Sequence, residues 1–589
     1  MINVPVSLRL QINRELQMLF RCNRVMPLAR TQVGLAVVLM SALWLAGCGG
    51  GGGGSDTPAT SLAISGTAAT SAPLASAAVD SKCTTGAGSA TTAGDGSYTV
   101  TIVGGALPCV LRVTGGSTVL HSVVTGNGTT ARANLTPVTE LVVARVAGDL
   151  PANYYAGFSA GASAALTPAA AQSASTAVVD TLKAGGVDLT ASGDLLVGPL
   201  PASGAYATGL AALQTALTAS GTTLAALTQA IAVASPAAPV ASLSNVASLP
   251  AERLFAPAAA NCASLRSGKY RFVGNVDGGT APSTELLTIN ATALTITNST
   301  NDVFPLVSTG PCAYRNTATG SEFVVGRAGV ITARVDADNG AMVGAVLFPE
   351  QSHSVAELAG EWNALAFDGG ETGVVHPTAA TVTIDSLGKL TALTYCDDVR
   401  TCVAVTGSNL PVINIRLNVA GGYDLVNTSA NYTDRVFAYR AGGGELMWIT
   451  LATGGHISFA TRTAPLVLPV LGRIQENWNV TLTAAYTAPN AISVGRNTVV
   501  SLDNSAGSYV RNSLQNAATG ATRPETLAIN SLREGYVRRV PGPATHSDGT
   551  TSTVSEFIAL PLRGMDFATV AFPAANQLTL SMTSSIVTP

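Results

Sequence analysis

The sequence predicts a multidomain, mainly β protein, and three of its features support that prediction. Apolar residues alternate with polar ones between Gly, Pro and Asp-Gly turns, both at 61–114 and from residue 258 onward. Between these regions the apolar spacing changes to that of helices. An aromatic starting segment recurs three times after residue 258. We therefore expect an N-terminal β-sandwich, a small helical domain and an all-β C-terminal region of about three barrel-like or sandwich-like units.

The composition limits the functions that the chain can have. Its 589 residues correspond to three to five domains at about 150 residues per domain. Charged residues make up only 11% of the chain, against about 25% in an ordinary soluble domain. The net charge of -3 provides no basic stripe. We therefore exclude nucleic acid as a partner.

The N-terminal residues have the pattern of an export signal. Arg30 precedes an apolar run at 33–46, which is shorter than the roughly 18 to 20 residues of a membrane-spanning helix. The true start is either Met1, with a long basic region, or Met26. Leu45-Ala-Gly-Cys48, followed by six glycines, resembles the lipobox of bacterial lipoproteins. The resemblance implies cleavage before Cys48, acylation of that cysteine and anchoring to the outer membrane, on either its periplasmic or its outer face.

These patterns divide the chain into eight segments. The expected boundaries are a lipoprotein signal peptide at 1–47, a lipidated and Gly-rich tether at 48–60, a β-sandwich at 61–134, a helical domain at 135–234, a linker at 235–257, and β units at 258–356, 357–472 and 473–589.

The sandwich segment carries a second resemblance. Its Ala72-Pro-Leu74 turn before a strand and its Asp95-Gly-Ser-Tyr98 hairpin resemble the carboxypeptidase regulatory-like domain, a prealbumin-like Greek-key sandwich without catalytic activity. Together with the lipobox, the Thr136-Pro-Val-Thr-Glu-Leu141 helix start and the later Cys262-Ala-Ser-Leu-Arg-Ser-Gly-Lys-Tyr270 segment, the sandwich looks like part of a group of large lipoproteins of Gram-negative bacteria. That resemblance implies an envelope location and no particular reaction.

Six cysteines follow Cys48, and an even number in an exported chain predicts disulfides. Six cysteines allow 15 pairings. They show neither Cys-x-x-Cys spacing nor accompanying histidines, so a zinc site is not indicated. Their grouping along the chain favours the pairs Cys83 with Cys109, Cys262 with Cys312, and Cys396 with Cys402.

Residues 136–231 predict four helices. Thr136-Pro137 and Thr167-Pro168 have the pattern of a capping threonine followed by proline at the first helical position. Leu210, Leu213 and Leu217 share the face of a third helix, and Thr223 begins a fourth. The Pro/Ala/Ser-rich stretch that follows is expected to be the linker.

The three aromatic starting segments suggest a plug or a pocket in each β unit. They contain Tyr270, Trp362 and Trp478. Gly360-Glu-Trp362 resembles the Gly-x-Trp that begins a lipocalin barrel, in which the Trp plugs one end. Two interpretations follow: a filled core closed by the aromatic residue, or a ligand pocket lined by Trp362, Trp448 or Trp478.

No catalytic motif is recognised, and no cofactor or metal site is predicted. Ser386-Leu-Gly-Lys389 matches a penicillin-enzyme motif but lies between two strand patterns, where Gly388 suits a hairpin. Asp336-Ala-Asp-Asn-Gly340 likewise favours a turn over a calcium site. His121 is expected to be structural. The sequence therefore favours a non-catalytic interaction or scaffold protein of the envelope, possible partners being an envelope protein or a glycan. The alternative is a carrier of a small apolar or glycan ligand in a C-terminal barrel, and a hydrolase with scattered carboxylates is the third interpretation.

Overall fold

The computed structural model describes residues 60–235, 249–274, 283–337, 340–369, 375–397, 401–452, 457–482, 488, 490–571 and 580–585. Strands hold 48% of the residues and helices 17%, so the predicted mainly β, multidomain fold class is confirmed. The signal peptide, Cys48 and its glycine tether lie outside the described residues, as does most of the predicted linker.

The N-terminal strands form a sandwich of two sheets. One sheet has the order β4-β1-β7 and the other the order β3-β2-β5-β6. Alternate residues of both sheets, such as Ile64, Val100 and Val113, meet in one apolar core. The strands are β1 (Ser61–Thr67), β2 (Ala78–Thr85), β3 (Ala87–Thr91), β4 (Ser97–Val103), β5 (Ala106–Gly115), β6 (Thr118–Val124) and β7 (Thr130–Arg132).

Helix α1 (Pro137–Ala147) connects the helical domain to the sandwich through its contact with strand β6. Thr136 and Thr139 cap its first turn, since each side-chain oxygen accepts a hydrogen bond from the other's backbone N–H, at 3.1 and 2.9 Å. The Glu140 carboxylate accepts a 2.6 Å hydrogen bond from the His121 backbone N–H and lies 2.8 Å from its Nδ1. His121 thus has the structural role that its apolar strand predicts.

The helical domain contains six helices where the sequence pattern predicts four. The two additional ones are short, six residues each, and lack the apolar stripe on which the prediction depends. The C-terminal end of the predicted linker is also not a free linker, because a 3-10 turn at Ala251–Phe255 packs Leu254 and Phe255 against the helices. The remaining helices are α2 (Pro151–Ala156), α3 (Ala160–Ala165), α4 (Pro168–Ala184), α5 (Ala205–Ser220) and α6 (Leu224–Val233).

Within the described residues, no helix alone has the length and apolar character to cross a membrane. Helices α5 and α6 meet that requirement only as a pair, which is bent by 98°.

The first β unit, here called the first barrel, is a curled nine-stranded meander. Its first strand pairs with both the second and the last, and the sheet is open between the fourth and fifth. A short pair, β8 (Ala258–Ala259) and β9 (Cys262–Arg266), precedes it. Its strands are β10 (Gly268–Gly274), β11 (Ser283–Asn290), β12 (Thr295–Thr297), β13 (Val303–Pro305), β14 (Val307–Gly310), β15 (Ala313–Arg315), β16 (Glu322–Val325), β17 (Ile331–Asp336) and β18 (Met342–Pro349).

The second barrel repeats this topology strand for strand. Its sheet order, β22-β21-β20-β19-β27-β26-β25-β24-β23, corresponds to β13-β12-β11-β10-β18-β17-β16-β15-β14 of the first barrel. The internal repeat suggested by the starting segments is therefore a repeat of architecture. The strands are β19 (Gly360–Gly369), β20 (Val375–Ile384), β21 (Leu390–Asp397), β22 (Thr401–Val405), β23 (Ile413–Leu417), β24 (Tyr423–Asn427), β25 (Tyr432–Arg440), β26 (Leu446–Leu451) and β27 (Ile457–Arg462).

The third barrel differs because it is closed. Eight strands pair around a complete ring, and the hairpin β33-β34 lies outside the ring. The strands are β28 (Ile474–Leu482), β29 (Ser493–Asp503), β30 (Ser508–Asn516), β31 (Ala521–Ile529), β32 (Val537–Arg539), β33 (Gly542–Thr545), β34 (Thr551–Val554), β35 (Phe557–Leu562), β36 (Phe567–Ala571) and β37 (Leu580–Ser585).

The three barrels share one apolar core that lies outside all of them. Phe348 of the first barrel, Phe459 of the second and Phe567 of the third belong to the same buried cluster. Two tyrosine hydroxyls bridge the units: Tyr439 donates to the Ala328 carbonyl at 2.5 Å, and Tyr536 donates to the Ala364 carbonyl at 2.9 Å. The β units therefore pack as one body.

Three disulfides link Cys83 with Cys109, Cys262 with Cys312, and Cys396 with Cys402, the pairs that the sequence favours. Cys83 lies directly opposite Cys109, and Cys396 directly opposite Cys402.

Replacing Cys262 and Cys312 by Ala is expected to destabilise the first barrel more than the same change at Cys396 and Cys402 destabilises the second. The first pair is 50 residues apart in sequence and the second pair 6. Loop-closure entropy then gives about 4 kcal/mol for the long loop and about 2 kcal/mol for the short one. Urea unfolding, followed by hydrogen exchange in each barrel, measures both losses, and equal losses would contradict the expectation.

Candidate functional site

The first two barrels are closed at one end by the same aromatic arrangement. Tyr270 donates its hydroxyl hydrogen to the Arg266 carbonyl, and Trp362 donates its indole N–H to the Leu358 carbonyl, in both cases four residues back and at 2.9 Å. Both side chains are fully buried, with 0% exposure. These aromatic residues therefore act as the plugs that the Gly-x-Trp resemblance implies.

An arginine lies over each plug. The Arg253 guanidinium is 5.5 Å from the centre of the Tyr270 ring, and the Arg462 guanidinium is 4.2 Å from that of Trp362. Gly360, at φ +130°, makes room for this packing, since a Cβ there would lie 2.1 Å from Arg462 Nη1.

The three tryptophans proposed as pocket residues serve as packing residues instead. Trp362 and Trp448 stack on each other inside the second barrel, with ring centres 4.5 Å apart. Trp478 is also buried, but it packs against the apolar core of the first barrel rather than inside its own. The prediction of a pocket lined by these residues therefore does not match their positions, because each fills space against apolar neighbours.

The outward direction of Trp478 leaves the third barrel without an aromatic plug from its first strand. A cavity of about 220 Å³ opens instead at one end of this barrel. Its apolar wall includes Val499, Ile529 and Val537, and its polar wall consists of Arg473, Gln475, Asn497, Tyr509, Arg511, Arg563 and Asp566.

The connecting segment 463–473 crosses the end of the barrel at this cavity. Asn530 holds the segment in place, since its Oδ1 accepts from the Leu466 backbone N–H at 2.8 Å and its Nδ2 donates to the Leu466 carbonyl at 2.9 Å. Leu466 points inward and lines the cavity, whereas Val470 and Leu471 are exposed. The segment thus contributes to the cavity wall while leaving apolar side chains in contact with solvent.

A buried carboxylate organises the arginines on one side of the cavity. The Glu525 side chain is 1% exposed and pairs with Arg511, Arg523 and Arg539 at 2.8, 2.6 and 2.8 Å. Burial raises the pKa of Glu525, but the arginine charges and hydrogen bonds outweigh burial and hold that pKa below its ordinary value. Glu525 is therefore ionised at neutral pH and fixes Arg511 in the cavity wall.

Asparagine side chains form a chain of hydrogen bonds on the other side. Asn497 Nδ2 donates to Asn477 Oδ1 at 3.2 Å, and Asn477 Nδ2 donates to Asn479 Oδ1 at 2.7 Å. Gly495 leaves the necessary space, because a Cβ there would lie 2.9 Å from Asn479 Nδ2. The chain begins at Asn497, whose buried Oδ1 accepts no hydrogen bond from the described residues.

Tyr509 and Asp566 complete the charged end of the cavity. Burial raises the pKa of Tyr509, and the charges of Arg511 and Arg473 only partly counter this effect, so its hydroxyl stays protonated at neutral pH. Burial also raises the pKa of Asp566, which Arg327 counters from the first barrel with a 3.2 Å hydrogen bond between Nη2 and Oδ1.

The other motifs from the sequence are structural. Gly388, at φ +84°, forms the turn between β20 and β21, so Ser386 and Lys389 belong to a hairpin. Gly340, at φ +77°, lies in the β17-β18 turn, where Asp338 and Asn339 are outside the described residues. No group of three or more His, Cys, Asp or Glu side chains in the described part of the chain could hold a metal ion.

The cavity residues were not predicted from the sequence. Gln475, Asn477 and Asn479 do alternate with Trp478 and Val480, which is a signal that polar side chains occupy one face of this strand. The pattern alone does not show which face is the interior, because both faces of this strand become buried.

Comparison with known proteins gives distant structural neighbours, two of which are described here. The sequence matches no family model and no curated protein. A protein of unknown function of the DUF3598 family from Nostoc punctiforme is 12% identical over 40% of this chain and 100% of that one, with a TM-score of 0.14. The isotype 1 transferrin binding protein B from serogroup B Neisseria meningitidis is 9% identical over 52% of this chain and 59% of that one, with a TM-score of 0.18. We base no functional conclusion on these likenesses.

Changing Glu525 to Gln is expected to destabilise the third barrel by about 3 to 5 kcal/mol at neutral pH, because the buried Arg539 and the partly buried Arg511 and Arg523 lose their counter-charge. The folded pKa of Glu525 is depressed, so its contribution is complete above the unfolded value of about 4.3 and is lost as the pH falls through the folded value. Melting of the two proteins between pH 7 and pH 2 should therefore converge toward the acid end. A difference that does not change with pH would contradict the ionised state of Glu525.

Proposed function

We propose that the protein is a lipid-anchored, non-catalytic binding protein of the bacterial outer membrane whose third barrel holds a small ligand. The lipobox at 45–48 supports the anchor and its location. The cavity of about 220 Å³ at one end of the third barrel carries the binding proposal, because the tryptophan of that barrel's first strand packs outside it.

The features of the cavity are those of a binding site. Small-molecule sites combine apolar walls with a few convergent polar groups. Here Val499 and Val537 lie beside Arg511 and Asn497, and the arginine is held by the buried Glu525. The polar groups are thus arranged before a ligand arrives, which lowers the entropic cost of binding.

A second candidate function is the interaction or scaffold role that the sequence favours. The open seams of the first two barrels support it, because the first is flanked by exposed Val303 and Val307 and the second by exposed Val403 and Leu417. Strand edges of this kind can pair with an extended segment of a partner protein.

Replacing Val499 with Trp is expected to eliminate ligand binding, because Val499 is 7% exposed and lines the cavity. Val500 is the matched control, since it is the next residue of the same strand and is 43% exposed. The measurement is native mass spectrometry of the full chain purified from the envelope. The unsubstituted protein and Val500→Trp should carry one extra mass that is lost on denaturation, and Val499→Trp should not.

The same extra mass on Val499→Trp would contradict binding in the third barrel. A bare unsubstituted protein that co-purifies with a stoichiometric envelope protein would instead favour the interaction role.

A further inference from the structure

We infer that the ligand of the third barrel is a small hydroxylated anion of about the size of one acidic sugar. The inference rests on the proposed function and adds the chemical class of the ligand. It follows from the charges at the cavity, from the unpartnered oxygen of Asn497 and from the size of the space.

The charges around the cavity favour an anion. Three arginines line it, Arg473, Arg511 and Arg563, against one carboxylate, Asp566. Asp566 pairs with Arg327 and also interacts electrostatically with Arg473, and Arg563 pairs with Glu445 at 2.8 Å. Arginines therefore outnumber carboxylates in the wall of this half-enclosed cavity, which favours a negatively charged ligand.

Asn497 favours a ligand that carries a hydrogen-bond donor. The residue is 8% exposed and lines the cavity, and its Nδ2 is engaged by Asn477. Its Oδ1 is buried and lacks a partner among the described residues. Such an oxygen costs about 1 to 3 kcal/mol if it stays unsatisfied. A simple carboxylate cannot satisfy it, since an ionised carboxylate only accepts hydrogen bonds, whereas a hydroxyl can.

The strand register places these two requirements within one small ligand. Arg511 lies opposite Val499, and Gln475 lies opposite Asn497, so the arginine and the asparagine are separated by one step along the interior face of β29. Gln475 and the protonated Tyr509 hydroxyl add further polar contacts between them. The cavity of about 220 Å³ is smaller than the roughly 300 to 1,000 Å³ of sites for drug-sized ligands. A single six-membered ring with a carboxylate and hydroxyls matches this arrangement.

Three probes of similar size separate the two requirements without any mutation. Glucuronate has both the anion and the hydroxyls, glucose has only the hydroxyls, and cyclohexanecarboxylate has only the anion. Isothermal titration of the full chain in detergent should give glucuronate an affinity at least about tenfold above that of each of the other two, the equivalent of one hydrogen bond or ion pair.

Two variants test which residue recognises the hydroxyl group and which recognises the anion. Asn497→Leu should lower glucuronate affinity about tenfold and leave cyclohexanecarboxylate binding unchanged. Arg511→Gln should weaken both acids about tenfold or more and leave glucose unchanged, because Glu525 retains Arg523 and Arg539 as partners. Both variants are compared with the matched exterior change Val500→Ala.

Equal affinity for glucose and glucuronate would overturn the anion requirement, and equal affinity for the two acids would overturn the hydroxyl requirement. If none of the probes binds while the Val499→Trp variant still loses a bound mass, the ligand class is wrong and the proposed function stands. If no mass depends on Val499, the proposed function itself fails. Methyl glucuronoside distinguishes two sources of such a ligand. If it binds as tightly as glucuronate, the ligand is the end of an envelope polysaccharide; if it does not bind, the ligand is a free sugar acid. Both results support the inferred class.

Discussion

The direction of the side chains on strand β28 determines what the third barrel can do. A strand sends alternate residues to opposite faces, so the residues that serve the shared core cannot also fill the barrel. Val480 packs into the core between the three barrels, and Trp478 packs against the core of the first barrel. The residues that alternate with them, Asn477 and Asn479, must therefore point into the third barrel. The alternation of side chains along β28 therefore has two results: it joins the three barrels, and it gives the third barrel a partly polar interior.

The same constraint explains why the first two barrels are filled. Their first strands direct Tyr270 and Trp362 inward, where each side chain donates a hydrogen bond to a carbonyl four residues back and carries an arginine over its ring. Burial of the aromatic side chain therefore stabilises the inside of each of these barrels. In the third barrel the tryptophan of the first strand packs outside instead. The interior combines a small apolar cluster that includes Leu527 and Phe557 with the Glu525 ion-pair cluster and the asparagine chain. This mixed interior leaves a cavity of about 220 Å³ at one end of the barrel.

Much of this architecture follows from the sequence because it depends on local patterns. Alternation between turn residues marks the strands, Thr136-Pro137 marks the first long helix, and the recurring aromatic segments mark the starts of the β units. The six cysteines pair within their local groups because each pair joins adjacent strands or a strand and its neighbouring loop. The short helices Pro151–Ala156 and Ala160–Ala165 were missed, since they carry no apolar stripe.

The site was beyond sequence reasoning for a different reason. Trp478 resembles Trp362 in its local sequence, and only the packing of the first barrel against the third shows that it points outward. Glu525 and its three arginines lie on three strands, and the arginines 523 and 539 have no spacing that distinguishes them from an exposed edge. These contacts are set by tertiary packing, which local periodicity does not specify.

The reaction of engineered cysteines with a small thiol reagent shows whether the interior of the third barrel is open. Ala568 lines the cavity of the third barrel, whereas Ala460 lies fully buried in the filled second barrel. Each is replaced by Cys in separate variants, and the reaction with a methanethiosulfonate is compared with that of the unsubstituted protein. Ala568→Cys should react in the native state, and Ala460→Cys should react only through unfolding. Equal protection of the two cysteines would contradict an open third barrel.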